Sequence, residues 1–337
     1  MAIHNNFHLL RLFAAMLVLY SHAHSLRKLH EPLFLDRLPL GPLGVYIFFS
    51  ISGFLIYKSY RSDPNVLRFL AKRALRLWPG LTVVIALSAV ILGPFVSSLG
   101  TAEYFAHPLF ALYFWNLALF PIYHLPGSFE SLPYPGVVNG SIWSLAIEVA
   151  MYLTIPLALI VMRVGGWVYL AMFVAFGVLH FTWVWVDPTM LVFWGSDLRQ
   201  VPMCGIFFAA GAAIAAFRLE RHFTPNVLLL AAVALFCSPV NNTSFHLVLW
   251  IALPILVIGT GMSTSPVGNW LAARGDFSYG TYLYAFPIQQ LLMLLWPEQS
   301  LAAYIAWTTV LVLGCAWLSW HLIEQPAQNL KPRRAAA

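Results

Sequence analysis

Five ionisable residues stand where they are costly, and their types and spacing suggest chemistry. Arg11 and His22 are eleven positions apart in an otherwise apolar stretch, Arg11-Leu-Phe-Ala-Ala-Met-Leu-Val-Leu-Tyr-Ser-His22. On a helix that rise is about 17 Å, which puts Arg11 near one membrane face and His22 in the opposite half. Ionisable groups in hydrocarbon cost several kcal/mol unless paired or facing water, so each is a functional candidate by default. A histidine there can act as a general base, or simply bond a neighbouring helix. His24 lies closer to the helix end and is less specific. Glu148 is the only carboxylate between Ile142 and Ile160. At a depth matching His22 it can orient the imidazole, although the same pair could merely staple two helices. Arg73 and Arg76 lie three apart, hence on one helical face. Two guanidiniums in that arrangement suit bidentate phosphate binding, with topogenic charge or anionic-lipid contact as the competing explanation.

The elements that must position these residues follow from composition. The chain has 337 residues, 61% hydrophobic and 9% charged, too few polar side chains to cover a soluble globule of this size. We expect one all-α polytopic membrane domain spanning 1–337, with a short basic tail at 327–337. About ten helices of roughly 20 residues fill most of it. The net charge of +6 is clustered at the ends of apolar runs, as orientation in a bilayer requires, so nucleic acid is not an expected partner. Cys204, Cys237 and Cys315 fit neither a disulfide framework nor a metal site and read as small apolar fillers; no metal is expected. Walker-type loops, Gly-x-Ser-x-Gly elbows and His-Glu-x-x-His helices are missing from the sequence.

Apolar runs fall at about 7–27, 41–60, 77–97, 104–121, 141–163, 166–186, 199–218, 225–240, 246–263, 278–296 and 301–323. The first lacks a small-residue cleavage site and reads as a membrane helix rather than a signal peptide. Lys58, Arg61, Arg68, Lys72, Arg73 and Arg76 follow the second run and are placed inside by the positive-inside rule. Arg218, Arg221, Arg274, Lys331, Arg333 and Arg334 belong inside too, while Pro239 to Ser244 and Pro297-Glu298 face out. Both termini are then cytoplasmic. The two halves agree only if the stretch from about 98 to 140, free of Lys and Arg and carrying Pro108, Pro121, Pro126, Pro133 and Pro135, begins and ends outside. Run 104–121 is therefore a re-entrant or interfacial segment, leaving ten crossings.

Collected, these segments resemble the membrane acyltransferase-3 family over nearly the whole chain. Arg11 to His22 is similar to the family's arginine, ten residues and histidine. Gly44-Val-Tyr-Ile-Phe-Phe-Ser-Ile-Ser-Gly-Phe-Leu-Ile56 resembles its second-helix pattern, and Arg73-x-x-Arg76 its paired arginines. Ser141-Ile-Trp-Ser-Leu-Ala-Ile-Glu148, Ser278-Tyr-Gly-Thr-Tyr-Leu-Tyr284 and His321-Leu-Ile-Glu-Gln-Pro326 are similar to its Trp-Ser-Leu-x-x-Glu, Ser-Tyr-Gly-x-Tyr-Leu and Glu-x-Pro segments. One departure is Tyr284-Ala-Phe-Pro287, where many relatives carry a second histidine.

The resemblance implies acyl transfer, acetyl by default, from acyl-CoA to a hydroxyl of a polysaccharide, sugar or lipid-linked sugar, in a bacterial cytoplasmic (inner) membrane. His22 and Glu148 are the implied catalytic residues, with His22 as base, or as nucleophile through an acyl-histidine. Arg73 and Arg76 are the implied CoA-binding residues; Arg11 can join them by positioning the CoA arm, or can balance charge inside the bundle, and Ser52-Gly53 can let the arm pass close to the backbone. Trp143, Tyr279 and Tyr282 can stack on a sugar or belong to interfacial belts. A transporter or flippase of a glycan-related substrate is the rival reading: it would also bury charges and interrupt helices, but would leave its substrate chemically unchanged.

Overall fold

The computed structural model describes residues 5–161, 165–186, 189–238 and 242–332. Arg333, Arg334, the Ala-rich end and the first half of the Pro239 to Ser244 turn, 239–241, lie outside the described residues. The long helices are α1 (Phe7–Ser25), α2 (Leu40–Ser62), α3 (Val66–Leu87), α4 (Trp143–Pro156), α5 (Trp167–Leu179), α6 (Gln200–Phe217), α7 (Pro225–Phe236), α8 (Asn242–Met262), α9 (Ser278–Leu295) and α10 (Leu301–Ser319). The architecture is an all-α polytopic membrane protein. Two-stranded hairpins, Leu33–Phe34 with Leu38–Pro39 and Val192–Phe193 with Ser196–Asp197, are the sheets among the described residues.

Six stretches are long and apolar enough to cross a membrane: Leu40–Ser62, Val66–Val96, Trp167–Val184, Gln200–Phe217, Thr243–Met262 and Leu301–Asn329. Helices α4 and α7 are apolar but shorter, and α1 and α9 carry more polar residues, so length and composition alone support six of the expected ten crossings. The most apolar window of α2 is 78% buried, whereas that of Trp167–Val184 is 17% buried. α2 is therefore central, packed against α1, α4, α6 and α8, and α5 is peripheral.

Helix α3 starts well before the apolar run at 77. Asn65 caps it by accepting the Arg68 amide at 2.9 Å, and Asp63 holds Arg68 and Lys72 at 2.6 and 2.8 Å. These two cations keep the Asp63 carboxyl well below the usual carboxylate range. The basic stretch thus belongs to the helix rather than to a connection, because a cap and ion pairs suffice to start a helix that a hydropathy window misses. Arg73 and Arg76 are in consequence rigidly mounted.

Run 104–121 forms no continuous helix. It breaks into Thr101–Ala106, Pro108–Tyr113 and the 3-10 turn Phe114–Ala118. Asn116 satisfies exposed backbone by bonding Tyr113 O, Ile122 O and Ile122 N at 2.7, 2.9 and 2.9 Å. Trp78 donates to Leu117 O at 2.9 Å, while Asn139 and Gln290 donate to Leu283 O and to Tyr134 O and Val137 O. Backbone outside a regular helix needs partners of this kind, supplied here in part by α3 and α9.

The contact of α2 with α6 depends on two glycines. A Cβ at Gly53 would lie 2.0 Å from Phe208 O, and one at Gly211 2.2 Å from Ser50 O. Gly53 thus serves backbone packing against α6 and gives no passage to a ligand arm, while Ser52 points elsewhere. Because the obstacle is backbone, Gly53→Ala is expected to destabilise by about 1–3 kcal/mol, read as a lower thermal midpoint in detergent. Gly314→Ala, which meets nothing within 4 Å, is the control expected not to lower the midpoint, since alanine favours a helix over glycine.

Candidate active site

Two cavities penetrate the bundle and have Val45 and Tyr282 as common lining residues. The larger, about 320 Å³, gathers His8 and Arg11 from α1, Ser52 from α2, Arg73 and Arg76 from α3, Glu148 and Tyr152 from α4, and Asp276, Gln328 and Lys331. The smaller, about 240 Å³, holds Ser21, His22, Glu31, Trp143 and Gln200.

Asp276 organises the larger cavity. Only 3% of its side chain is exposed, and it receives Arg76 Nη2 at 2.6 Å and Arg11 Nη1 at 3.2 Å, with His8 Nδ1 at 3.7 Å. The Ser278 amide and hydroxyl also donate to it. Burial pushes its carboxyl up, but Arg76 and Arg11 outweigh that and hold it well below the usual carboxylate range. Glu324, 1% exposed, stands 3.9 Å from Arg76 on the other side and accepts Ser319 Oγ at 2.9 Å.

The paired arginines therefore divide. Arg76 is committed to Asp276 and Glu324, whereas Arg73 faces the cavity with no carboxylate within 4 Å among the described residues, and its Nε has no hydrogen-bond partner. Lys331 joins from the chain's far end, its Nζ donating to Gln328 Oε1 at 2.7 Å. Burial, together with the positive charges of Arg76, Arg73 and Arg11, brings its ammonium down to about 8.

Glu148 accepts Ser52 Oγ at 3.1 Å and a short hydrogen bond from the Tyr152 hydroxyl one turn along α4. No hydrogen bond or ion pair joins it to His22 among the described residues, so a carboxylate–imidazole pair is not formed: Glu148 faces the larger cavity and His22 the smaller one. Tyr282 lines both cavities and forms a wall they share: its hydroxyl donates to Ser141 O and receives Ser144 Oγ, both at 2.6 Å, with its ring edge-on to Phe48.

His22 opens instead into the smaller cavity. Its Nδ1 is buried without a hydrogen-bond partner, and its ring packs edge-on against Phe286 at 5.4 Å. His24 is turned away, its Nδ1 bonded to Tyr20 O at 2.9 Å.

The structure thus brings Arg11, Arg73, Arg76 and Glu148 together and sets His22 apart. Sequence reasoning passed over Asp276 and Lys331 and gave Glu324 no role, though the two acids are among few carboxylates in apolar surroundings, and Glu324 stands in a quoted motif. Trp143 lines the histidine cavity and Tyr279 the arginine cavity, where its hydroxyl donates to Leu77 O at 2.8 Å.

A polytopic helical bundle with a cationic cavity at one end and a histidine cavity at the other defines a membrane protein that can hold an anionic group beside a site for proton transfer. Residues 4–323 match the acyltransferase-3 family, described as an acyltransferase domain, and the chain belongs to that family. It is 30% identical over 331 residues to an O-acetyl transferase of Shigella phage Sf6, covering 95% of each chain. It is also 30% identical to nodulation protein 10 of Rhizobium leguminosarum bv. viciae, covering 97% of this chain and 94% of that one. With the putative peptidoglycan O-acetyltransferase YrhL of Bacillus subtilis it shares 26% identity, over 86% of this chain and 51% of that protein. No solved structure is significantly similar to it.

Asp276→Asn removes the buried charge that two partly buried guanidiniums share. Breaking a buried pair typically costs about 3–5 kcal/mol, so the thermal midpoint is expected to fall sharply. The carboxyl is depressed in the folded state, so its contribution is complete above the ordinary aspartate pKa of about 3.9 and is lost as the pH falls below it. Unfolding of the wild type followed from pH 7 to acid should show this decline; in Asp276→Asn that part of the slope should vanish.

Proposed function

We propose that this protein transfers an acyl group, acetyl by default, from acyl-CoA to a hydroxyl of a sugar or polysaccharide, with the donor entering at the arginine cavity and the acceptor at the histidine cavity. The observation that carries the reading is the adjacency of the two cavities, with the unpaired Arg73 at one end and His22 at the other. The O-acetyltransferase names of two relatives support the class of reaction.

The arginine cavity is cytoplasmic if both termini are, and so faces the acyl-CoA pool of a bacterial cell. Arg73 and Lys331 hold phosphate oxygens there, since both are cationic and neither has a carboxylate partner within 4 Å among the described residues. Arg76 and Arg11 act at one remove, locked on Asp276. The pantetheine arm runs past Glu148, whose oxygens accept its amide N–H groups, toward Tyr282. The acceptor hydroxyl oxygen then attacks the thioester carbonyl while His22 takes the hydroxyl proton. The carbon–sulfur bond breaks, and the departing sulfur recovers that proton as the free CoA thiol.

His22→Ala is expected to lower the transfer rate by about 10²–10⁴-fold with the donor KM unchanged, whereas Arg73→Ala should raise the donor KM. Mass spectrometry of surface glycans from cells with equal membrane amounts of each protein reads the result. Full acylation in His22→Ala would remove histidine from the reaction, and a wild type that adds no mass while moving a glycan precursor would favour a transporter. A second test concerns Lys331. Its charge, facing Arg11, Arg73, Arg76 and Asp276, is lost as pH rises through about 8, so the donor KM should climb above that pH. Lys331→Arg, which stays charged, should flatten the climb.

A further inference from the structure

The histidine cavity contains a carboxylate that the transfer reaction as drawn does not use. Glu31 lines it together with His22, Trp143 and Gln200. The position is built rather than incidental. The Ser21 hydroxyl, itself 1% exposed, donates a short hydrogen bond to Glu31 Oε2. Ser21 is held in turn by Gly41, where an added Cβ would meet Ser21 Oγ at 2.9 Å. The segment after Glu31 is pinned by the hairpin Leu33–Phe34 with Leu38–Pro39, by Leu40 N to Pro32 O at 3.1 Å, and by Arg37 Nη1 on the Ser238 carbonyl and hydroxyl at 3.3 and 3.0 Å. Among the described residues no Lys or Arg stands within 4 Å of Glu31, and none lines this cavity.

We infer that Glu31 positions and selects the acceptor: its carboxylate accepts hydrogen bonds from the hydroxyls of a neutral sugar lying against Trp143, and its unneutralised charge turns away sugars carrying a carboxylate. The inference rests on the acyl-transfer reading of the same site. A carboxylate accepts through two oxygens, and Ser21 occupies one of them, which leaves acceptor capacity aimed at the cavity. A sugar hydroxyl donating to an ionised oxygen makes the stronger, charge-assisted kind of hydrogen bond. A uronate in its place would set two negative charges a few ångströms apart, where the low polarity of the bundle weakens screening. Trp143 offers the apolar face on which one side of a pyranose ring can lie, and about 240 Å³ suits a small ligand such as a single sugar unit.

The test uses the full-length protein in detergent with acetyl-CoA and two acceptors alike except at C6, p-nitrophenyl β-D-glucoside and p-nitrophenyl β-D-glucuronide. Acetylated product is measured by mass for the wild type, Glu31→Gln and Glu31→Asp. The wild type should favour the glucoside at least tenfold in kcat/KM. Glu31→Gln, which can still accept from Ser21, should raise the glucoside KM about tenfold, leave the acetyl-CoA KM unchanged, and bring the two acceptors close to parity. Glu31→Asp keeps the charge and should keep the preference, which a purely structural role would not predict. The proposal is overturned if Glu31→Gln leaves the preference unaltered, if the wild type prefers the glucuronide, or if it acetylates neither glycoside. Surface glycans of the expressing cells are assayed in parallel. Acetylated glycans beside any of these results would sink the acceptor assignment and leave acyl transfer standing, whereas cells with no added acetyl would sink the transfer reading itself.

Discussion

Asp276 is the interaction on which the arginine end of the bundle depends. A carboxylate this buried is tolerable only with compensating charge and hydrogen bonds, because desolvation alone costs several kcal/mol. Arg11 brings α1 to it, Arg76 brings α3, and Ser278 belongs to the first turn of α9. Three helices distant in sequence are thus fixed around a single oxygen pair. Glu324 completes the arrangement from beyond α10 by standing on the far side of Arg76. Once two guanidiniums are held in this way, the positive potential of the cavity no longer depends on a ligand, and Arg73 is left with its charge available.

Helix α2 supplies the second constraint, a spatial one. Gly53 and Gly211 let α2 and α6 approach until backbone meets backbone, the close approach that small residues permit between membrane helices. That contact fixes the rotation of α2 about its axis. With Gly53 against α6, Ser52 is left to reach Glu148, and Val45, two turns earlier, lines both cavities. A single rigid helix therefore sets how far apart the two cavities lie.

Much of this was legible in the sequence. Composition gave the class of fold, apolar runs gave most helices within a few residues, and the Pro-rich stretch from 98 to 140 read as something other than a simple crossing. Of the charged side chains singled out in apolar runs, Arg11, Arg73, Arg76 and Glu148 line one cavity and His22 another. What stayed hidden was pairing. Arg73 and Arg76 look equivalent three residues apart, and only the position of Asp276, about 200 residues on, distinguishes them. Glu148 and His22 look alike in depth, and only the fold shows that they open into different cavities. Glu31 sits in a polar connection, where a carboxylate attracts no notice until the fold turns it into a cavity. The start of α3 was missed for a related reason, since hydropathy marks where a helix enters lipid and a capping Asn65 marks where it begins.

The wall at Tyr282 bears on how the proposed transfer is controlled. A cavity of about 320 Å³ is at the small end for ligand sites, so in the proposed reaction the bulk of a CoA molecule would stay at the mouth and the thin arm alone would enter. Its thioester would then meet a tyrosine held by two hydrogen bonds, to Ser141 and Ser144. Each such bond contributes about 0.5–1.5 kcal/mol net, so releasing both costs about 1–3 kcal/mol, the range in which an open state is populated at the per-cent level. In the proposed reaction such a wall would keep the resting thioester away from water on the acceptor side until the ring moves. Moving the same ring by disturbing helix packing would cost far more, because α2 and α6 have no space to give. In that reading the control point is a pair of hydrogen bonds, to the Ser141 carbonyl and the Ser144 hydroxyl, rather than the bundle around them.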